Sequence, residues 1–416
     1  MSRHASATTR SLPRRLLLGG LILAAITALV GMAWTWPRGG YPDISDVFVH
    51  SQYNQKLIDG TVISVDSDAC QSPSVGQVFD GSPIFPVDDT SADQECRRSV
   101  VEITSGEHAG RHTMFVHYNV PGEPVLEPGD KIRMTSGDQL AFADYARGPS
   151  LLWWGLAVVL GLIIFAGWRG VRALAGLGIT LAFILAYLLP AVATGVSSSL
   201  LAVITGAVIL LAVVPLVHGI NWKSAAALAG TLLALLLAAG LTTLGLRSTG
   251  VRGLGSEDLL NIMLYLPEVS VMGLLSAGFI IGTLGVLNDV TIAQASTINE
   301  LADLDPDATP WRLFTGAMRV GQDHITSVVY TLVLSYTGAA LPLLLLISAA
   351  DRSLFDTLTS DVVATELLRS IIGALALILA VPLTTFVAAW TVPEKSDTHR
   401  LELAQKPPQQ RVPHSH

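Results

Sequence analysis

In a chain of 416 residues with only 14% charged side chains, the ionisable residues in or beside long apolar stretches include Asp289, Glu300, Asp323 and His324. A charge near the bilayer centre costs at least about 2.5–3.5 kcal/mol on insertion scales, so such a group is usually kept for what it does. Carboxylates and an imidazole gathered at a helix entrance can bind a cation or relay protons. A local alternative stands beside this reading. Aspartate is a favoured helix cap, so Asp289 could cap a connecting helix and Asp323 the helix that follows it. His324, taken alone, reads first as a structural residue.

The neighbouring pattern is helical. Gly278-Phe-Ile-Ile-Gly282, followed by Gly285, has the small-xxx-small spacing that lets a second helix approach closely. Val290–Leu301 is semi-polar, and its spacing puts Asp289, Ala293 and Ser296 on one face and Ile292, Ala295, Ser296 and Asn299 on another. Asp303, Asp305, Pro306, Asp307 and Pro310 then predict a loop. The next membrane helix carries Tyr330, Ser335, Tyr336 and Thr337. Asp289 and Asp323-His324 are thereby expected at one membrane face, the inner one.

These residues need a membrane scaffold to hold them. Half of the residues are hydrophobic and the mean hydropathy is +0.53. About 20 apolar residues in a helix span the hydrocarbon core. About eight such stretches occur, near Leu16–Trp36, Leu151–Trp168, Val171–Pro190, Ser198–Val217, Ser224–Leu244, Val269–Leu287, Ser327–Ala349 and Leu367–Trp390. Backbone groups in lipid must be satisfied within the segment, so each reads as a helix. Pro190, Pro215, Pro342 and Pro382 lie in or at the ends of these helices, where bending is the simple reading. The first stretch is longer than a signal-peptide core and ends in the interfacial pair Trp34 and Trp36, so a retained anchor is expected over a cleaved leader. Arg3, Arg10, Arg14 and Arg15 place residues 1–15 in the cytoplasm, and alternation puts Lys395, Arg400, Lys406 and Arg411 there too. Arg247 and Arg252 fall on the outer side and run against this bias. A Pro- and Gln-containing tail, 391–416, reads as disordered.

Residues 41–148 have another texture. Short runs at period two predict strands at Gly60–Val65, Ser99–Thr104, His112–Tyr118 and Asp130–Met134, separated by turn residues. A small extracytoplasmic β-barrel, OB-like, is the expected fold. Cys70 and Cys96, the chain's two cysteines, both fall here. Outside the cytoplasm they form a disulfide candidate, with two free thiols as the alternative. His108, His112 and His117 have no metal-ligand spacing, and a surface placement is expected for them.

Net charge is −8 and no basic stripe suggests nucleic acid. Walker A, His-Glu-x-x-His and Gly-x-Ser-x-Gly patterns are missing from the sequence, so an enzyme is not expected, nor a metal or cofactor.

Gly282-Thr-Leu-Gly-Val-Leu-Asn-Asp289, Ala295-Ser296, Asn299-Glu300-Leu301 and Gly321-Gln-Asp-His324, running into Thr331–Leu344, resemble the YibE/F family of bacterial multi-pass membrane proteins. Gly60–Val65 and Ile103–Gly110 are similar to the β-rich part that precedes the family's membrane region. His324 departs from the family pattern, which tends toward an apolar residue there. The resemblance implies a bacterial plasma-membrane location and supplies no catalytic residues. A transporter or permease for a small solute or ion is the first expectation. A membrane-anchored protein that holds a partner through its β-domain is the second. Lipid is the expected surrounding, and a second copy of the chain a candidate partner.

Overall fold

The computed structural model describes residues 4–38, 46–49, 51, 53–84, 95–118, 120–137, 139–349 and 353–392. Its elements begin with α1 (His4–Trp34), α2 (Asp46–Val49), β1 (Leu57–Ala69), β2 (Glu95–Ile103), β3 (His112–His117), β4 (Lys131–Thr135), β5 (Phe142–Tyr145) and α3 (Gly148–Ala166). There follow α4 (Trp168–Phe183), a π-helical turn (Ile184–Leu188), α5 (Leu189–Ala193), α6 (Ser198–His218), α7 (Trp222–Thr249) and α8 (Glu257–Tyr265). The last are α9 (Val271–Leu304), α10 (Pro310–Ala339), α11 (Leu341–Ser348), α12 (Leu354–Leu358) and α13 (Asp361–Thr391). The tail expected after Val392 lies outside the described residues. The chain divides into two units, Met1–Asp43 with Trp168–His416, and Ile44–Gly167.

In the helical unit, α7, α9 and α13 form the interior. Their facing residues are small: Ala234, Ala238, Ala376 and Ala380 are fully buried. Small side chains let membrane helices pack by close backbone approach. Gly230 of α7 is the tightest case, because a Cβ there would collide with the Thr384 side chain of α13. Several buried threonines satisfy their hydroxyls within their own helices, as Thr205 does by donating to the Leu201 carbonyl at 2.6 Å. Side chains cap the starts: Asn221 accepts from the Ser224 amide at 2.9 Å, and Ser270 from the Gly273 amide at 3.1 Å. On α1, Ala28 is buried and Gly31 faces Ile204 of α6.

Among the described residues, seven helices are long and apolar enough to cross a membrane, and the α10–α11 pair makes eight if it counts as one span. That pair is bent by 64°. The seventh span, expected as one run over Ser327–Ala349, is thus broken at Ala340. Pro342 in the first turn of α11 has no amide proton to continue the ladder, which favours a new helix start there.

The other unit holds an antiparallel sheet in the order β3-β2-β1-β4-β5. The four expected strands are present. β5 was not anticipated: Phe-Ala-Asp-Tyr is too short and mixed to show a period. The sheet curls, so the rings of His117 on β3 and Phe142 on β5 meet edge-on at 6.5 Å. Among the described residues the two edge strands do not pair directly. Gly76 links them, donating its amide to the Met114 carbonyl at 2.9 Å and accepting from the Leu140 amide at 2.7 Å. Its φ of 69° favours glycine, and a Cβ would stand 2.9 Å from the Leu140 oxygen. The segment around Gly76 is anchored by the Cys70–Cys96 disulfide, with a Cα separation of 5.2 Å. Arg98, beside it, grips Asp66 through two bonds of 2.8 and 2.9 Å.

His117 overturns the surface expectation. It is only 7% exposed and its Nε2 has no hydrogen-bond partner. Burial pushes its proton affinity below the ordinary imidazole value; Glu123 opposes the shift and Arg97 adds to it. α3 follows the sheet and buries none of its side chains.

Candidate functional site

The polar run Val290–Leu301 is not a separate connecting helix. It continues α9 without a break, giving a 34-residue helix about 50 Å long at 1.5 Å per residue. Its composition contains no Gly or Pro to stop it, and Asp305 is the first residue past the end. Asp289 therefore lies near the middle of α9, and Asp323 and His324 near the middle of α10. Neither aspartate is a cap: those positions are held by Ser270 and Thr309, whose side chains accept the Gly273 and Arg312 amides.

Depth follows from the contacts. Thr291 shares a 2.5 Å hydroxyl contact with Thr231 of α7, about 13 Å from the Trp222 end of that helix. Asp289 lies half a turn from Thr291 on the same helix. Its carboxylate opens outward from the bundle. The charged groups acting on it are His218, at the last turn of α6, and His324 of α10, while Asn288 gives it a side-chain hydrogen bond. Lys223 acts on His218 in turn. Asn288 Oδ1 is buried without a partner.

The other expected residues fall elsewhere on the same elements. Asp323 is exposed on α10 beside His324. Glu300 is exposed about 16 Å further along α9, remote from Asp289. Gly278, Gly282 and Gly285 lie on the helix face that carries Asp289. Tyr336 of α10 places its hydroxyl 3.3 Å from where a Gly282 Cβ would stand, whereas Gly278 and Gly285 have nothing within 4 Å.

Below this face α9 is joined to its neighbours by buried polar groups. Gln294, 1% exposed, accepts from the Thr385 hydroxyl of α13 at 3.0 Å. Gly321 brings α10 against the same amide.

Glu366 and Arg369 of α13 escaped the sequence reading. Arg369 donates to Glu366 at 3.0 Å and lies over the rings of Phe279 and Tyr336 at 5.2 and 5.9 Å. The signal is an i, i+3 charge pair at the start of the last apolar run. The pair borders a cavity of about 250 Å³, with Asp258, Asp361 and Gly278 among the other walls. Asp361 is already committed, accepting from the Arg252 and Gly255 amides at 2.9 and 3.3 Å. Among the described residues no cluster of three metal-ligating side chains occurs.

Membrane-length helices around a polar seam, preceded in the chain by a curled antiparallel sheet, define a multi-pass membrane protein. Residues 154–394 match the YibE/F-like protein family, and the chain belongs to it. The match begins after the sheet, so the β-region similarity at Gly60–Val65 and Ile103–Gly110 lies outside it. Comparison with curated proteins and with solved structures gives no match.

Proposed function

We propose that this YibE/F-family protein is a permease for a small solute or ion, with its path along the seam between α9, α10 and the start of α13. One observation carries the reading: a carboxylate at the middle of a membrane helix, open to the side, lies within electrostatic reach of two imidazoles from different helices. Asp289, His218 and His324 can exchange protons, and a charge kept within a membrane segment is costly without such a use. Asp323 extends the polar face. Gly278 and Gly285 leave room along the same side, and the Glu366–Arg369 pair borders the cavity at the far end. Glu300, remote from the cluster, serves as an outlying charge near the other mouth. Catalysis is no part of this reading.

The test is flux in proteoliposomes, read as proton movement with an enclosed pH dye and as uptake of a panel of labelled cations and amino acids. Asp289→Asn should lower the active flux about tenfold or more, equivalent to ~1.4 kcal/mol of lost interaction. Equal flux for wild type and the Asp289→Asn, Asp323→Asn double variant removes the proposal.

A second role concerns the β-region. The Cys70–Cys96 disulfide favours an oxidising compartment for it, with the OB-like sheet outside the plasma membrane, both termini inside, α1 as a retained anchor and the sheet holding an envelope partner. This orientation requires α10–α11 to act as one span, giving eight. Reporter fusions at the C-terminus and at Gly122 should report opposite sides; the same side for both refutes it.

A further inference from the structure

We infer that the cavity between α8, α9 and the start of α13 binds a basic α-amino acid, of the class of lysine, ornithine and arginine. All of its walls belong to the helical unit. Its volume is about 250 Å³. A cavity of about 150 Å³ takes benzene, so this one holds about ten non-hydrogen atoms, the size of lysine. Gly278 of α9 has nothing within 4 Å of a Cβ position and keeps that wall open.

Arg369 sets one end of the ligand. Glu366 takes one of its five donors at 3.0 Å, and Arg369 Nε is buried with no partner. The rings of Phe279 and Tyr336, at 5.2 and 5.9 Å, hold the guanidinium without satisfying its hydrogens. It is left with donors for a carboxylate, the partner its fork matches best. Glu366 accepts through Oε2, which leaves Oε1 for an α-ammonium group beside that carboxylate.

Asp258 sets the other end. It lies in the first turn of α8, lines the cavity, and has no ion-pair partner among the described residues. The Gly255 amide on Asp361 ties the start of α8 to the start of α13, and Arg369 lies about 12 Å further along α13. That separation calls for a ligand with a stem. A four-carbon stem like that of lysine runs past Leu259, Leu274 and Leu275 and brings its ammonium to Asp258. The walls carry three carboxylates, Asp258, Asp361 and Glu366, against one guanidinium, so a net positive ligand is favoured over a neutral zwitterion. Among the described residues no three acids converge on a metal-sized point. The surplus negative charge is spread out, as an extended organic cation requires.

Transport of this ligand rests on the permease reading above; its binding at equilibrium does not. The test is therefore binding of tritiated L-lysine to the purified full chain in mild detergent, read by scintillation proximity. One lysine should bind per chain. Norleucine lacks the side-chain ammonium and cadaverine lacks the carboxylate. Each should compete at least about tenfold more weakly than lysine, the factor for one charge-assisted hydrogen bond. Asp258→Asn should weaken lysine about tenfold and leave norleucine unchanged. Gly278→Leu fills the cavity and should abolish binding, whereas Gly178→Leu, on an open face of α4, should keep it. Should Gly278→Leu fail to fold by gel filtration, Asp258→Asn, a change at an exposed residue, decides alone. The inference is overturned if wild type binds no lysine, or if norleucine or cadaverine competes as well as lysine. It is also overturned if Asp258→Asn weakens both ligands equally or neither, or if a folded Gly278→Leu chain binds like Gly178→Leu. Lysine bound without any flux would instead remove the permease and leave this site standing.

Discussion

Replacing Gly321 by alanine tests how α10 is seated against the seam. In an open helical position this change stabilises, by up to ~1 kcal/mol, because glycine is the poorer helix former. Here the new Cβ would stand 2.8 Å from Gln294 Nε2 and 2.8 Å from Val381 Cγ1. Comfortable heavy-atom contact is about 3.5–4.0 Å, so something must give by roughly 1 Å. If Gln294 moves, it abandons the 3.0 Å bond from Thr385 and leaves a buried amide unsatisfied, at ~1–3 kcal/mol. If α10 lifts instead, overpacking costs ~1–3 kcal/mol. Either way the variant should be less stable by ~2 kcal/mol, a factor of about 30 in the folded ratio. Reversible unfolding in detergent measures it, and Gln294→Ala in the same chain supplies the control by making room. The two changes should then couple by ~1 kcal/mol or more. Additivity within ~0.5 kcal/mol, or a Gly321→Ala protein more stable than wild type, would refute this account of the seam.

Two further predictions concern the β-region. Replacing Cys70 and Cys96 by serine frees a loop with a sequence separation of 26 and should cost ~3 kcal/mol. Limited proteolysis of the full chain should then cut near Gly76 faster, and an unchanged rate would count against the anchoring role. His117 makes the sheet pH-sensitive. Its folded proton affinity is depressed, so the unfolded chain binds more protons between that lowered value and about 6.5. Stability is full above about pH 6.5 and is lost as pH falls through the lowered value. Hydrogen exchange of the β3 amides should quicken on acidification in wild type and much less in His117→Phe; equal acid sensitivity would assign the effect elsewhere.

Much of the architecture was written in local pattern. Seven of the eight apolar runs and all four alternating runs appear as helices and strands close to where hydropathy and period two put them, because both signals arise from each residue's own exposure to lipid, water or core. The run over Ser327–Ala349 is broken at Ala340. The misses have local causes as well. Phe142–Tyr145 is too short to show a period. Val290–Leu301 reads as a separate connecting helix, yet it continues α9 and its polar groups are spent inside the bundle: Thr291 on Thr231, Gln294 on Thr385. His117 looked like one of three surface histidines until the curl of the sheet covered it.

The sequence by itself determined that this is a membrane chain with a β-rich insert, a cysteine pair and a sparse set of acids worth noticing. Hydropathy and composition are additive along the chain, so they can be read one segment at a time. Only the tertiary structure decided that Asp289 keeps company with His218 and His324, that Glu300 stands apart, and that Arg369 lies between two rings. Those outcomes depend on which helix faces which, set by small-residue contacts such as Gly230 on Thr384 and Gly321 on Gln294. Such contacts join residues far apart in the chain, and no local pattern records the pairing.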